Sequence, residues 1–291
     1  MPGYESHARY AVTTQDLVYR DDPSGMCTVR IYKPQGDGPF PALLDVHGGA
    51  WASQASSYNA ISGEHLAESG IVVAAIDFRS STVAPHPAAM QDINYATRWL
   101  KAHASEFNAT AAGIGAVGWS SGGHQVMLSA MRPRAYADLP LTEAPEVDAA
   151  LDYVILGWPV IDPLARYRMA QSGEAQPLTQ SADQMVLRHL EYFGDEAVMV
   201  EANPQKILER AEAVEKPPVL LIQGAADLQL PSGMAEAFVR AYSEAGGVIE
   251  LGKYPGEPHG FMRNPGPNAE RAFAQMKSFI ARQLATVAVP A

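Results

Sequence analysis

Gly118-Trp119-Ser120-Ser121-Gly122-Gly123 is the stretch on which the reading of this chain turns. It contains the pattern G-x-S-x-G, which chance supplies often in a chain with 24 glycines, so its flanks carry the weight. Upstream, residues 114–119 form an apolar run of strand length. Downstream, 125–131 carries apolar positions at helical spacing. A serine at a sharp strand-to-helix turn is lifted clear of the sheet. Flanking glycines avoid a side-chain collision across so tight a turn. The helix N-terminus beneath the serine favours negative charge developing nearby. Ser120 holds the centre of the pattern and is the candidate nucleophile, whereas Ser121 competes only by proximity.

Working outward from the turn, short apolar runs alternate with longer helical patterns. Strands are predicted at 17–20, 28–32, 42–46, 71–76, 114–119, 153–156, 219–222 and 248–251. Helices are predicted at 58–69, 87–107, 125–131, 232–245 and 268–285. Most of the strands are nearly all apolar. Such strands alternating with helices indicate an α/β domain over residues 1–291, with a mostly parallel eight-stranded sheet covered by helices on both faces. One segment breaks the rhythm. Between the strands at 153–156 and 219–222 lie about sixty residues, including helical patterns at 183–193 and 204–213 and a Gln/Ser/Gly-rich piece at 171–182. Residues 164–213 are read as a helical cap or lid inserted over the sheet's C-terminal edge, against the plainer alternative of a peripheral decoration.

A nucleophilic serine needs donors for the oxyanion, a base, and a group that orients the base. Asp45-Val46-His47-Gly48-Gly49-Ala50-Trp51 follows the third strand, and its paired glycines let the backbone approach an oxygen closely. The expected donors are the N–H groups of Gly48, Gly49 and Ser121. Of eight histidines, His259 in Gly256-Glu257-Pro258-His259-Gly260-Phe261 lies in a loop just after the last strand and is the expected base. His7 lies near the terminus, and His65, His103 and His189 read as solvated helical positions. His86, between two prolines, is a candidate pocket wall. Asp227 follows the strand at 219–222 directly and is the expected acid, with Asp162 as the competing choice. Both lie at strand ends, where ligand-binding residues of open α/β sheets collect. Trp51, Trp119 and Trp158 also lie beside strand ends and are candidate pocket residues that would favour an aromatic or bulky apolar group. Met169, Met185 and Met199 would add adaptable wall or fill the insertion's own core.

Composition narrows the field. A net charge of −11 without a basic run argues against nucleic acid and anionic membranes as partners. The one cysteine, Cys27, excludes an internal disulfide and reads as a buried structural thiol. No cofactor is expected, because there is no G-x-G-x-x-G after the first strand; no metal is expected, because ligand spacing such as H-E-x-x-H is absent. No secretory n-region or h-region is visible, and no apolar run approaches the ~18 residues of a membrane span. The expected location is therefore the cytoplasm, with a small molecule as partner and room for a homodimer.

Taken together, these residues resemble the α/β-hydrolase superfamily over nearly the whole chain. The esterase/lipase branch with an H-G-G motif is the nearest in pattern, including hormone-sensitive-lipase-like carboxylesterases. His47-Gly48-Gly49-Ala50-Trp51, an H-G-G-x-W form, is similar also to kynurenine formamidases and feruloyl-esterase-type enzymes. Asp77-Phe78-Arg79, Pro85-His86-Pro87-Ala88 and Trp158-Pro159-Val160-Ile161-Asp162 resemble segments of those groups. Two departures stand out: Trp119 and Ser121 flank the serine where the lipase-like branch has Asp and Ala, and Ala50 replaces a third glycine. The resemblance implies a carboxylic-ester hydrolase working through an acyl-enzyme on Ser120. An arylformamidase-like amidase with the same triad, and a non-catalytic binding protein on a hydrolase scaffold, are the alternatives.

Overall fold

The structure, a computed structural model, describes residues 4–53, 56–173 and 181–287. Most of the Gln/Ser/Gly-rich piece read at 171–182 therefore lies outside the described residues. Eight strands among the described residues build one sheet: β1 (Val12–Val18), β2 (Thr28–Pro34), β3 (Ala42–Val46), β4 (Val72–Ile76), β5 (Gly115–Trp119), β6 (Tyr153–Gly157), β7 (Val219–Gly224) and β8 (Ile249–Tyr254). Their order is β1-β2-β4-β3-β5-β6-β7-β8. The β1–β2 and β2–β4 pairs are antiparallel, and every pairing from β4 through β8 is parallel. All residues of β3 to β7 are buried, as strands covered on both faces require.

Successive residues of a strand face opposite sides, and the core divides accordingly. Ala42, Leu44 and Val46 of β3 join one cluster with Ile93, Val126, Leu128 and Phe238. Leu43 joins the other, with Val117, Ile155, Phe273 and Phe279. Helices α1 (Ala60–Ala67), α2 (Ala88–His103), α3 (Ser121–Met131), α8 (Met234–Glu244) and α9 (Pro267–Val287) supply these faces. Between β6 and β7 run α4 (Pro163–Gln171), α5 (Ala182–Phe193), α6 (Glu196–Glu201) and α7 (Pro204–Glu209). The carboxylates or amide of Asp162, Asp195 and Asn203 accept N–H groups at the starts of α4, α6 and α7, and Ser181 forms a capping box on α5.

Several elements differ from the sequence reading. β1 begins five residues earlier than expected and ends at Val18, not Arg20; it is an edge strand whose largely exposed residues give no apolar alternation, and pairing with β2 defines it. α3 begins at Ser121 rather than Gln125, because Gly122 and Gly123 have poor helix propensity but are packed into its first turn. α4 and α6 were not expected; Asp162-Pro163, an N-cap followed by proline at the first helical position, was the available signal for α4.

Candidate active site

The register of the sheet delivers the candidate residues to one edge. Val46 of β3 pairs with Gly118 of β5, and Trp119 with Gly157 of β6, so three loops leave side by side. Gly224 of β7 pairs with Tyr254 of β8, which sends the Asp227 and His259 loops out together.

Ser120 is the N-cap of α3, at φ 54° and ψ −117°. A non-glycine residue in such a conformation costs about 1–3 kcal/mol and is held only by its surroundings. Those surroundings are backbone: Ser120 N–H donates to the Gly157 carbonyl at 2.8 Å, and Val160 N–H donates to the Ser120 carbonyl at 3.0 Å. Two glycines allow the serine turn and the loop after β3 to press together. A Cβ on Gly122 would sit 2.3 Å from the Val46 carbonyl oxygen, and one on Gly48 would sit 2.9 Å from that of Trp119. The motif glycines are thus required by contact between the two loops as much as by the turn itself.

His259 Nε2 lies 2.9 Å from Ser120 Oγ, and its Nδ1 lies 2.8 Å from Asp227 Oδ2. An ionised carboxylate only accepts, so Nδ1 carries the proton and Nε2 is left to accept from the serine hydroxyl. Gln223 Nε2 donates to Asp227 Oδ2 and Gln229 N–H to Oδ1, both at 2.9 Å. Burial alone would raise the Asp227 carboxyl; its hydrogen bond to His259, the charge there, and the Gln229 and Gln223 donors hold it below 3.8. Burial pushes His259 below its usual 6.5, although Asp227 pulls it upward. The net direction favours a neutral imidazole at neutral pH.

In the loop after β3, His47 Nδ1–H donates to the Gly48 carbonyl at 2.8 Å, and the ring stacks on Phe78. The N–H groups of Gly48 and Gly49 meet no protein acceptor among the described residues. Ala50 and Trp51 take left-handed φ of 50° and 62°. Trp51 N–H donates to Ser121 Oγ at 3.2 Å, which ties this loop to the serine turn. Trp119 Nε1–H donates to Asp45 Oδ1 at 2.8 Å, a second tie between β3 and β5; burial pushes the Asp45 carboxyl up to about 7.

The other residues singled out in the sequence take varied places. Asp162 does not reach His259: its Oδ1 accepts from Ala165 N–H at 2.9 Å and Asn203 Nδ2 at 2.8 Å, which makes it the cap of α4. Trp51, Trp119 and Trp158 are each at most 2% exposed and form core, not the wall of an open cavity. His86 lines a cavity of about 380 Å³ with Arg132, Tyr136 and Glu201, and Ser120 takes no part in it. His189 is fully buried, 4.9 Å from the Trp51 ring, because it lies on the inward face of α5. Met185 and Met199 are fully buried in the helical segment, while Met169 borders a cavity of about 820 Å³ that includes Asp227 but neither Ser120 nor His259. Cys27 is buried, and burial pushes its thiol up to about 12, as expected of a structural thiol. No group of three His, Cys, Asp or Glu able to hold a metal occurs among the described residues, and no helix there is long and apolar enough to cross a membrane.

Sequence reading missed Arg166, His124, Gln223 and Gln229. His124 Nε2–H donates to the Ala202 carbonyl at 2.7 Å and its Nδ1 accepts from Trp51 Nε1–H at 3.3 Å. None of the four stands in a local motif; only their three-dimensional neighbours reveal them.

The BD-FAE family model matches residues 29–242. Esterase LipC of Mycobacterium tuberculosis is 32% identical over 271 residues, covering 88% of this chain and 61% of that protein. Carboxylic ester hydrolase LipN of the same organism is 34% identical over 126 residues, 43% of this chain and 32% of that protein. The chain thus spans less than two thirds of the length of these curated relatives. Among solved structures, the butyrate-bound thermophilic esterase of Thermogutta terrifontis superposes with a TM-score of 0.73 at 23% identity, covering 96% of each chain. Esterase B from Lactobacillus rhamnosis gives 0.78 at 20% identity, covering 96% of this chain and 90% of that one. At such identities the likeness shows the fold, which is that of the α/β-hydrolases.

Proposed function

This chain belongs to the BD-FAE family, and on that premise we propose that it is a serine hydrolase of small or medium carboxylic esters. The observation that carries the reading is the hydrogen-bonded line from Ser120 Oγ through His259 to Asp227, at 2.9 and 2.8 Å. His259 takes the Ser120 proton as Oγ attacks the ester carbonyl, then returns it to the departing alcohol. Asp227 holds the imidazole tautomer and stabilises its protonated form. Gly48, Gly49 and Ser121 offer backbone N–H groups to the oxyanion, at the positive end of α3. Water releases the acyl-enzyme by the same route in reverse. The esterases and ester hydrolases among the similar proteins support an ester over an amide as the bond cut. The helices between β6 and β7 act in this reading as the cap, and the enzyme works in the cytoplasm on a small-molecule substrate.

The test combines labelling with a substrate comparison. Intact-mass analysis after a fluorophosphonate should show one adduct, lost in Ser120→Ala, with esterase activity falling at least ~10⁴-fold. Matched p-nitrophenyl esters should exceed the corresponding anilides in kcat/KM. An adduct that survives the substitution sinks the nucleophile, and faster anilide cleavage turns the assignment to an amidase.

A further inference from the structure

The buried arginines of this protein are not alike. Arg20 and Arg79 both pair with Asp92, at 2.9 and 2.8 Å. Arg166, on α4, is more deeply buried than either, at 2% exposed, yet like the buried Arg98 it makes no ion pair within 4 Å among the described residues; Arg98 instead donates to Asn94 Oδ1 and the Leu139 carbonyl. Among the described residues its Nη1 has no hydrogen-bond partner, and neither does Nε2 of nearby His189. Burying a cation without a paired anion is costly, so its position calls for a compensating role.

The bond that Arg166 does make points to that role. Its Nε–H donates to the Gln229 carbonyl at 3.0 Å. The N–H of the same residue donates to Asp227 Oδ1 at 2.9 Å. One short turn, 227–229, therefore carries Asp227 at one end and is gripped from α4 at the other. From the sheet side Gln223 holds the second carboxylate oxygen.

We propose that Arg166 is a positioning residue for the Ser120–His259–Asp227 line, fixing the Asp227 turn through the Gln229 carbonyl and placing a positive charge behind the acid. This rests on the serine-hydrolase reading above. The charged groups facing His259 are Asp227, which favours its protonated form, and Arg166 and Arg263, which oppose it. Arg263 comes from the segment just after His259, with its guanidinium over the Tyr58 ring at 3.8 Å. Removing the Arg166 charge leaves Asp227 less opposed, so His259 gains its proton at higher pH. The segment between β6 and β7 thereby tunes the base rather than only covering the site.

The experiment measures kcat/KM against pH for a p-nitrophenyl ester with the wild type, Arg166→Met and Arg166→Lys. Each preparation is titrated with a fluorophosphonate and checked for a cooperative melt. Arg166→Met should lower kcat/KM about tenfold or more per titrated site, as loss of a charge-assisted hydrogen bond does, and move the acid limb to higher pH. Arg166→Lys keeps the charge but loses the planar Nε contact, so its limb should stay with the wild type while kcat falls. A merely structural arginine would lower the melting temperature and leave the limb in place, which overturns the proposal. If Arg166→Met does not fold, an Arg166→Lys enzyme with undiminished kcat overturns it equally. Absence of a Ser120 adduct in the wild type is the separate result that removes the underlying reading first.

Discussion

Two regions meet at the candidate site, and they are joined in different ways. At the sheet edge, the serine turn and the loop after β3 touch backbone to backbone, with Gly122 against Val46 and Gly48 against Trp119. Left-handed φ values at Ser120 and Trp158 are held there by main-chain bonds, and that at Trp51 by the bonds its N–H donates to Ser121 Oγ and its carbonyl accepts from Ser81 N–H. The segment from α4 to α7 meets this platform through side chains instead. Trp51 stacks 5.4 Å from Tyr192 and lies edge-on to His189 and Phe193, and His124 reaches the Ala202 carbonyl. Backbone contacts of the first kind admit no added atom, whereas side-chain contacts of the second kind can be weakened one at a time. Geometry that chemistry needs to the ångström sits in the first region; adjustable surroundings sit in the second.

The contrast is broken most severely at the two aspartates. Asp227→Asn should lower kcat about 10⁴-fold with the fold intact, because the amide stabilises the wrong imidazole tautomer. Asp162→Asn should leave kcat near wild type and cost at most about 1 kcal/mol of stability, since asparagine still caps a helix. Equal losses of kcat would mean that the acid has been misplaced.

Next in size are two changes that compare the joints directly. Gly122→Ala forces a Cβ to 2.3 Å from the Val46 oxygen, and should cost about 3 kcal/mol in urea unfolding and abolish most activity. Trp51→Phe keeps the stacking but deletes the bond to His124, at a cost of about 1 kcal/mol. If both variants unfold at the same urea concentration, the distinction between backbone and side-chain joints fails.

A separate effect is a slope with pH. Burial pushes His86 down to about 4 and His124 and His189 to about 3, from 6.5. The folded protein keeps them neutral, while the unfolded chain binds their protons below pH 6.5. Stability should therefore fall as pH drops from 6.5 towards 4 and gain nothing from these groups above 6.5. His189→Gln should flatten that fall in a series of melting temperatures; an unchanged slope would show that His189 does not titrate on unfolding.

The parallel strands were legible because buried strands are short apolar runs, and β3 to β7 lie within a residue or two of where such runs predict them. β1 was not, since an exposed edge strand is specified by its partner rather than by its own pattern. Ser120, His259 and Asp227 could be picked from motif, loop position and chain order, and the structure brings them within hydrogen-bonding reach of one another. His189 misled because a helical periodicity gives a face but not the neighbour that covers it. Asp162 and Asp227 look alike in sequence, each just past a strand; only the direction of the following turn separates a helix cap from a partner of His259.

Local sequence, then, determined what each segment could become: which runs pair as strands, where glycine permits a turn, and which side chains carry usable chemistry. Those properties reside in single residues and their immediate spacing. Tertiary structure alone decided which of them meet. The 2.3 Å clearance at Gly122, the bond from Arg166 to the Gln229 carbonyl and the carboxylate behind His259 depend on contacts between residues distant in the chain, set by the strand order of the sheet.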